Sequence, residues 1–429
     1  MSRPLRVAVA GLGTVGGGVA KLLLSRRDEF AQRVGRTIDC VAVSARDRNK
    51  QRGFDVSSIP WTDDVLALAG SDVDVVVELI GGEDGPAKVL VERALLNGKH
   101  VVTANKALLA HHGGRLAAIA EEKGVALRFE AAAAGGIPIV RALRESLIAF
   151  DVASVSGILN GTCNYILTQM EASGRSFAAI LADAQRLGFA EADPTLDIGG
   201  GDTAHKIALL ASLAFGVKPD LSGIAIQGIS HITPQDIAFA REFGFRIKLL
   251  GIARRVGRKI DRRVQPAMVK LGTPLADVDG AFNAVVAHVG EAGPFFFEGR
   301  GAGEPATASA VVADILDVAR GNVSPVFGRP AESLRDADPA PSHLLTSACY
   351  FRFDVPDVPG VVADISRHLA SSGISIESML QRGRAPGEPV SIVMITHECS
   401  HDEATRALKV IAASDRVLGP PCMIPMEAG

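Results

Sequence analysis

Residues 6–24 read RVAVAGLGTVGGGVAKLLL, and this stretch decides the fold of the N-terminal part of the chain. A β-branched run leads into a Gly-x-Gly-x-x-Gly turn and then into an apolar run that can form a helix. In such a unit the first glycine permits a tight turn, the second lets the backbone approach a pyrophosphate, and the third lets helix and strand pack closely. The helix N-terminus also favours negative charge. The candidate dinucleotide-binding residues are Gly11, Leu12, Gly13, Thr14, Val15 and Gly16.

Strand-like and helical segments alternate from this unit to about residue 130, which disfavours the alternative of a glycine-rich turn that binds nothing. Further strands are predicted at 38–46, 73–82, 99–105 and 125–132, and helices at 86–97 and 106–123. Alternation of this kind builds βαβ units on a parallel sheet. The sequence therefore predicts an α/β protein in which residues 1–130 form a Rossmann-type, doubly wound parallel sheet that binds NAD(P).

The end of the second strand bears on which nicotinamide cofactor fits. NAD sites usually place an acid there to bind the ribose hydroxyls, whereas this strand runs into Ser44-Ala45-Arg46-Asp47-Arg48. Arg46 and Arg48 can hold a 2′-phosphate, because guanidinium groups suit phosphate. The sequence thus favours NADP over NAD. A solvated charged turn is the alternative, and the use of both cofactors stays open.

The rest of the chain divides into two further domains and a connection. Residues 131–320 predict a second, α+β domain with its own antiparallel sheet. Residues 321–345 are rich in proline and are predicted to be a linker. Residues 346–429 follow the order strand–helix–strand–strand–helix–strand, which is a ferredoxin-like plan.

Two polar segments are candidates for chemistry. In the first, Thr103 and Lys106 lie at the exit of a predicted strand, where open α/β sheets bind ligands. The second, residues 188–206, holds four carboxylates, and its Asp202 and Lys206 are four residues apart on one helix face. A lysine on a buried helix needs partners or a lowered pKa, and either makes it a candidate proton donor. A surface lysine and a surface ion pair are the alternatives.

Composition and cysteine placement argue against several classes of function. A net charge of −3 without a long basic run disfavours a nucleic-acid partner and a basic membrane-binding patch. No charge-free apolar run is long enough to predict a membrane span. The five scattered cysteines include no Cys-x-x-Cys pair and predict a reducing, cytoplasmic location without disulfides or zinc. Cys163 could be a nucleophile but is interpreted as structural, since a cysteine nucleophile needs a nearby base.

Seven segments, taken together, resemble the homoserine dehydrogenase family over nearly the whole chain. They are AGLGTVGGG (10–18), ELIGG (78–82), VTANKA (102–107), FEAAAAGGIPI (129–139), GILNGTCNYIL (157–167), AEADPTLDIGGGDTAHK (190–206) and GRGAG (299–303). Their order and spacing are those of the family, which makes the set far more specific than any single motif. The resemblance implies reversible, NAD(P)H-dependent reduction of L-aspartate 4-semialdehyde to L-homoserine. It also implies that residues 131–320 are the catalytic and dimerisation domain and that residues 300–320 return to the first domain.

The resemblance also implies roles at matching positions. Lys206 would donate a proton to the aldehyde oxygen, and Lys106 would lie at the nicotinamide. The residues that would hold the amino-acid end of the substrate or support Lys206 are Glu191, Asp197, Asp202, Gly161 and Thr162. Thr103 and Gly303 would lie on the cofactor side. A sodium or potassium ion, which prefers oxygen ligands, would be bound by Glu130 and by the carbonyls of Ala133, Gly135 and Ile137.

Two positions depart from the family pattern. Phe189 stands where the family usually has tyrosine, so a phenol hydroxyl is absent there. Pro305 is displaced by one residue after the GRGAG segment, which puts the cofactor contact at Gly303 in doubt.

The tail resembles an ACT domain, on the segments DVPDVPGVV (354–362) and ISIESMLQ (374–381). ACT domains bind amino acids and commonly pair across subunits, so the resemblance implies threonine as an effector and a homodimer or homotetramer. Such control requires two states with different affinity for threonine. Two other hypotheses stay open: an aldehyde dehydrogenase that acts through a Cys163 thioester, and a non-catalytic amino-acid sensor on a dehydrogenase scaffold.

Overall fold

The glycine-rich turn lies between a buried strand and a helix, as predicted. The structure, a computed structural model, describes residues 3–382 and 389–427. Five parallel strands form the N-terminal sheet in the order β2-β1-β3-β4-β5. The elements are β1 (Leu5–Ala10), α1 (Thr14–Ser25), α2 (Arg27–Val34), β2 (Ile38–Ser44), β3 (Val75–Glu78), α3 (Pro86–Leu96), β4 (His100–Thr103), α4 (Lys106–Glu122) and β5 (Leu127–Arg128).

Two details of this sheet differ from the sequence prediction. The first helix ends at Ser25, and a second helix, α2, which the periodicity did not reveal, follows at once. The strand predicted at 125–132 pairs only at β5, because the chain turns into a 3-10 helix at Glu130–Ala132.

A second, antiparallel sheet follows, with strand order β11-β10-β6-β8-β9. Its elements are α5 (Ile139–Arg141), β6 (Val152–Ile158), α6 (Gly161–Ser173), α7 (Phe177–Arg186), α8 (Thr195–Ile198), α9 (Gly201–Phe215), β7 (Ala225–Ile226), α10 (Pro234–Glu242), β8 (Phe245–Val256), β9 (Lys259–Lys270), β10 (Phe282–Val289), β11 (Pro294–Arg300) and α11 (Glu304–Ala319). Helix α9 packs against β6, β8 and β9, and every residue from Asp202 to Phe215 is buried. This burial explains why Lys206 must find polar partners inside the protein.

The chain crosses three times between the two sheets, and the third crossing is made by residues 321–345. Residues 129–138 lead from the N-terminal sheet to the second sheet, and residues 300–304 lead back to α11. These two crossings lie side by side, since the Gly136 N–H donates to the Arg300 carbonyl at 3.1 Å. Helix α11 then packs on α1, and its apolar side chains share one hydrophobic cluster with those of β1.

Residues 321–345 pass along α4 of the N-terminal domain and then reach the second sheet. Single parallel bridges join Val217 to Arg335 and Ile260 to Pro339, and the Ala331 N–H donates to Glu121 at 2.7 Å. The segment predicted as a linker is therefore held along its length by specific hydrogen bonds.

The tail forms a four-stranded antiparallel sheet in the order β17-β13-β15-β14 with two helices. Its elements are β12 (Thr346–Ser347), β13 (Cys349–Pro356), α12 (Val361–Ser371), β14 (Ile376–Gln381), β15 (Pro389–Thr396), β16 (Cys399–Ser400), α13 (His401–Ala412) and β17 (Cys422–Glu427). This is the predicted ferredoxin-like plan, and with the parallel and antiparallel sheets it confirms the fold class. The strand predicted at 374–383 extends to Gly383, which lies outside the described residues.

The tail is joined to the second sheet by more than a chain connection. Strand β17 pairs with β13 on one side and, in parallel, with β9 on the other, so the two sheets are continuous. A buried polar contact adds to this, because Asp236 of α10 accepts hydrogen bonds from Tyr350 at 3.0 Å and from Arg352 at 2.8 Å. Along the described ranges, no helix is both long and apolar enough to span a bilayer.

Candidate active site

The three glycines of the turn each meet a different steric demand. Gly11 has a φ of +96°, and a Cβ on it would lie 2.5 Å from the Leu79 carbonyl oxygen. A Cβ on Gly16 would lie 1.8 Å from the Gly11 oxygen, whereas one on Gly13 would meet no atom within 4 Å. Gly11 and Gly16 are therefore required by packing, and Gly13 leaves open space beside the N-terminus of α1, where a pyrophosphate fits.

A cleft of about 670 Å³ opens beside this turn and the end of β2. Arg46, Lys50 and Arg52 line it together with Gly11, Leu12 and Gly13. Arg52 also donates to the carbonyl oxygens of Leu12 at 3.1 Å and of Lys50 at 2.6 Å. The loop after β2 is thereby tied to the glycine-rich turn, so its cations face the cleft.

Arg48 is placed differently from Arg46. Its guanidinium lies 5.8 Å from the centre of the Trp61 ring, and it lines a neighbouring depression rather than this cleft. Lys50 and Arg52 were missed in the sequence because they follow the strand tip in a loop without periodicity. The available signal was their basic character, six and eight positions after the end of β2.

Thr103 and Asn105 position the start of α4. Thr103 is fully buried and donates to Glu78 at 2.6 Å, and Glu78 also accepts from the Ile80 and Gly81 N–H groups. Asn105 caps α4 by accepting from the Leu108 N–H at 3.1 Å. Through Glu78, Thr103 thus fixes the loop after β3, and it also fixes the residue before Lys106. Sequence reasoning missed Glu78.

Gly303 directly precedes α11 and has a φ of +99°. The next residue, Glu304, lines a small pocket of about 180 Å³ with Gly13 and Thr14. Pro305 lies in the first turn of α11, where a missing N–H costs nothing. The displaced proline is therefore compatible with a helix that begins beside the glycine-rich turn.

The centre of the site is a carboxylate between two lysines. The Asp202 carboxylate lies 2.7 Å from Lys206 Nζ and 3.1 Å from Lys106 Nζ. Lys206 also donates to the Leu159 carbonyl at 2.6 Å. Burial by itself would raise the pKa of Asp202, but the two ammonium charges outweigh it and hold that pKa well below its ordinary value. Asp202 is therefore a fixed anion that orients both lysines.

Asn160 joins this centre to a second carboxylate. Its side-chain amide donates to Asp197 and to Asp202, each at 2.8 Å, while its oxygen caps α6 by accepting from the Cys163 N–H. Burial and the charge of Asp202 raise the pKa of Asp197. Sequence reasoning missed Asn160, although an asparagine before a helix is a recognisable capping signal.

The start of α6 contacts the loop that carries Glu191. Thr162 donates to the Phe189 carbonyl at 2.8 Å, and Gly161 lies so close to Ala281 that a Cβ would be 2.8 Å from its carbonyl oxygen. The Phe189 ring stacks on Tyr165 with centres 4.4 Å apart. Glu191 is exposed in this loop. Phe189 therefore keeps the packing of an aromatic ring, without a hydroxyl group.

Cys163 is buried beneath the site. Its thiol lies 3.2 Å from the Asp197 carbonyl oxygen, and burial, with the charges of Asp197 and Asp202, raises its pKa well above the ordinary value. A nucleophilic cysteine needs the opposite environment, exposed and electropositive. The geometry agrees with the structural interpretation of this residue.

Residues at the first crossing offer oxygen atoms to a cation. Glu130 and Asp314 are buried side by side, and the Glu130 N–H donates to Asp314 at 2.8 Å. Within the described part of the chain, Asp314 Oδ1 accepts no hydrogen bond. Burial raises the pKa of Glu130 to about 7 and that of Asp314 to about 6. The Glu130 carboxylate accepts from the Val140 and Arg141 N–H groups, and one carboxylate with the backbone carbonyls of Ala133, Gly135 and Ile137 is a set of oxygen donors whose chemistry fits a hard monovalent cation.

A dinucleotide-binding sheet that meets a lysine–aspartate–lysine centre, in which Asp202 and Lys206 are buried, defines the chain as a nicotinamide-dependent oxidoreductase. The family profiles described as "Homoserine dehydrogenase, NAD binding domain", "Homoserine dehydrogenase" and "ACT domain" match residues 11–130, 138–316 and 350–415. Homoserine dehydrogenases of Neisseria gonorrhoeae and Pseudomonas aeruginosa are 42% and 41% identical, each over 99% of both chains. The chain therefore belongs to the homoserine dehydrogenase family, NAD(P)-dependent enzymes that act on a CH–OH group.

A solved structure supports the same family assignment. The crystal structure of a homoserine dehydrogenase from Thiobacillus denitrificans superposes with a TM-score of 0.93, at 43% identity and with 99% of both chains covered. The resemblance seen in the seven sequence segments is confirmed, and so is the ACT domain. Neither the cysteine-dependent aldehyde dehydrogenase nor the non-catalytic sensor is favoured by these likenesses.

Proposed function

We propose that the chain interconverts L-aspartate 4-semialdehyde and L-homoserine, a step of the aspartate-derived route to threonine, methionine and isoleucine. The observation that carries the proposal is the Asp202 carboxylate between the Nζ atoms of Lys206 and Lys106. A bound NAD(P)H supplies the hydride. As a carbonyl carbon accepts hydride its oxygen gains negative charge, which a positioned ammonium stabilises and protonates.

The two lysines differ in surroundings, and we assign them different roles. The Lys206 side chain is 11% exposed and that of Lys106 is 32% exposed. Lys206 gives its proton to the nascent alkoxide, and in the reverse direction it takes the proton of the hydroxyl group. Lys106, at the start of α4 beside the carboxyl edge of the N-terminal sheet, orients the carbonyl toward the nicotinamide. Asp202 holds both ammonium groups in place.

The amino-acid end of the substrate is assigned to the carboxylates and helix start beside this centre. The substrate ammonium pairs with Glu191 and Asp197, and its carboxylate accepts from the N-terminus of α6 at Gly161 and Thr162. A helix N-terminus with free N–H groups suits a carboxylate. Asn160 positions Asp197 for this task through its 2.8 Å hydrogen bond.

NADP is the proposed cofactor, with NAD as the alternative. Arg46, Lys50 and Arg52 line the cleft beside Gly11 and Gly13, and no acid other than Asp47 and Asp63 is among the described residues that line it. Three cations at this edge favour a 2′-phosphate over a free ribose hydroxyl. The pyrophosphate is assigned to residues 11–16, with Gly303 and Thr103 supporting the cofactor from the neighbouring chain segments.

A sodium or potassium ion is proposed at Glu130 and the carbonyls of Ala133, Gly135 and Ile137. The ion would balance the buried charge of Glu130 and Asp314 and hold the crossing between the sheets.

We also propose the domain boundaries. Residues 1–130 with 300–320 form the NAD(P)-binding domain, residues 131–320 the catalytic and dimerisation domain, residues 321–345 the linker and residues 346–429 the ACT domain. Threonine acting on the ACT domain, in a homodimer or homotetramer, completes the proposal.

The test is the initial rate of nicotinamide reduction with homoserine, measured with NADP and NAD, with and without threonine. Homoserine-dependent reduction that is faster with NADP and slowed by threonine supports the proposed reaction, cofactor preference and effector. If folded protein supplied with sodium or potassium reduces neither cofactor, the assigned reaction is wrong.

A further inference from the structure

A second cavity lies where the ACT domain meets the antiparallel sheet, apart from the glycine-rich turn. Its volume is about 450 Å³, which is in the range of small-molecule sites. Strands β6, β8 and β10 supply its floor, and residues 346–348, Glu398 and the end of β17 supply its walls. We call it the junction cavity. Its polar lining includes Ser154, Ser156, Arg254, His288, Glu398 and Glu427.

Three of these side chains form a row across the floor. Ser154 is paired with His288 on one neighbouring strand and with Arg254 on the other, so all three point to the same face of the sheet. The next residue, Arg255, points to the opposite face, where its guanidinium lies 5.8 Å from the Phe215 ring of α9. The cavity and the catalytic helix thus lie on opposite faces of the same sheet.

The cavity brings a cation and carboxylates together. Arg254 Nη2 lies 2.6 Å from Glu427 Oε2, yet its side chain remains 39% exposed. The other Glu427 oxygen accepts from Arg263. Because the two oxygens of Glu427 are already paired with Arg254 and Arg263, the exposed Glu398 is the carboxylate that faces an incoming ligand. A site that offers a guanidinium, two hydroxyls and a carboxylate matches a ligand with one negative and one positive group.

We propose that the junction cavity binds a small α-amino acid. The ligand carboxylate accepts hydrogen bonds from Arg254 and from the hydroxyls of Ser154 and Ser156, and its ammonium donates to Glu398. This inference rests on the threonine regulation proposed above in one respect only, namely that the amino acid bound there is the effector.

The position of the cavity gives the ligand a route to the catalytic helix. A ligand carboxylate on Arg254 competes with Glu427, which belongs to the strand that joins the ACT sheet to β9. Three residues from Arg254, Gly251 of β8 packs tightly on α9, since a Cβ there would lie 2.9 Å from Thr203 and 3.3 Å from Ile207. A shift of β8 is therefore transmitted to the turn of α9 that carries Lys206.

The experiment titrates threonine, alanine and glycine into the full chain saturated with NADP, by calorimetry. Arg254→Met removes the carboxylate partner, and Ser154→Leu fills the cavity with an apolar side chain beside Arg254 while the Arg254 guanidinium and Glu427 are both retained. Arg255→Met is the matched control, because Arg255 lies on the same strand, is 38% exposed and pairs with one carboxylate, Asp151, at 2.7 Å. We expect each cavity variant to weaken binding at least about tenfold, the loss of one charge-assisted hydrogen bond, and the control to leave it unchanged.

The outcomes separate this inference from the proposed function. Wild-type affinity in either Arg254→Met or Ser154→Leu overturns the inference and moves the amino acid elsewhere, such as the turn before α12. Binding that is lost in Asp197→Asn but kept in the cavity variants places the ligand in the active site and also overturns it, as does the absence of binding by the wild type. Homoserine oxidation is measured in parallel without effector; its absence refutes the proposed function and leaves the binding result standing.

Discussion

Replacing Lys206 by alanine is the most direct test of the catalytic centre. The change removes an ammonium that lies 2.7 Å from Asp202 and 2.6 Å from the Leu159 carbonyl oxygen. Lys106, 3.1 Å from the same carboxylate, remains to neutralise it. A general acid contributes about 10²–10⁴-fold, so turnover should fall at least about 100-fold, or ~2.7 kcal/mol in the activation barrier.

Steady-state oxidation of homoserine measures the loss, and two further readouts identify its cause. The affinity for NADPH, followed by its fluorescence, should stay unchanged, because the cleft beside residues 11–16 lies on the other sheet. Added methylammonium should restore part of the turnover in the space left by the side chain. Lys248→Met is the control, since Lys248 is a similarly buried lysine that donates to the Val278 carbonyl at 2.6 Å and does not contact Asp202.

Three results would refute this reasoning. A loss of turnover below about tenfold would remove Lys206 from the role of proton donor. An equal loss in Lys248→Met would show that removal of any buried lysine disturbs the sheet. A parallel loss of NADPH affinity would show that the two sheets no longer face each other correctly.

Three other substitutions test separate parts of the structure. Arg46→Ala should lower kcat/KM for NADPH relative to NADH about tenfold or more, whereas Arg48→Ala, whose guanidinium lies over Trp61, should leave that ratio unchanged. Cys163→Ala should retain near-normal turnover, because burial raises the pKa of this thiol; a loss above about tenfold would instead favour thioester chemistry. Burial and nearby Arg263 lower the pKa of His401 from 6.5 to about 4, so the unfolded chain takes up a proton first as the pH falls. Between pH 6.5 and pH 4 the wild type should lose on the order of 3 kcal/mol of unfolding free energy relative to His401→Gln, measured by urea denaturation at each pH. If the unfolding free energies of the two proteins change in parallel with pH, the burial argument is wrong.

The sequence predicted those elements whose signals are local. The strand–turn–helix unit at residues 6–24 and the strand and helix order of the tail are periodic and bounded by glycine or proline, and both were confirmed. Helix α2 was missed because Arg27–Val34 has one buried residue, Phe30, and no apolar stripe. The pairing of β17 with β9 was missed because strand periodicity says which face is buried and not which strand lies beside it.

In the candidate site, too, contacts between residues close in the sequence could be predicted and contacts between distant residues could not. Lys206 and Asp202 could be paired from their spacing on one helix, and the structure places them 2.7 Å apart. Lys106 is nearly one hundred positions away in the chain, so physical reasoning on the sequence alone could not place it on the same carboxylate. The family resemblance placed Lys106 at the nicotinamide, and its contact with Asp202 is seen only in the structure. The same reasoning explains why Asn160 was overlooked, since its cap is local and its two carboxylate contacts are not.

The crossings between the sheets have a mechanical consequence. The segments that cross between the sheets lie together, with the Gly136 N–H on the Arg300 carbonyl, Gly135 against Gly301 and Arg128 on the Asn322 carbonyl, and this places an axis there about which one half of the molecule can rotate against the other. Rotation about such an axis needs changed torsion angles at only a few residues. An ion held by the carbonyls of Ala133, Gly135 and Ile137 would lie on this axis and stiffen it without obstructing the cleft.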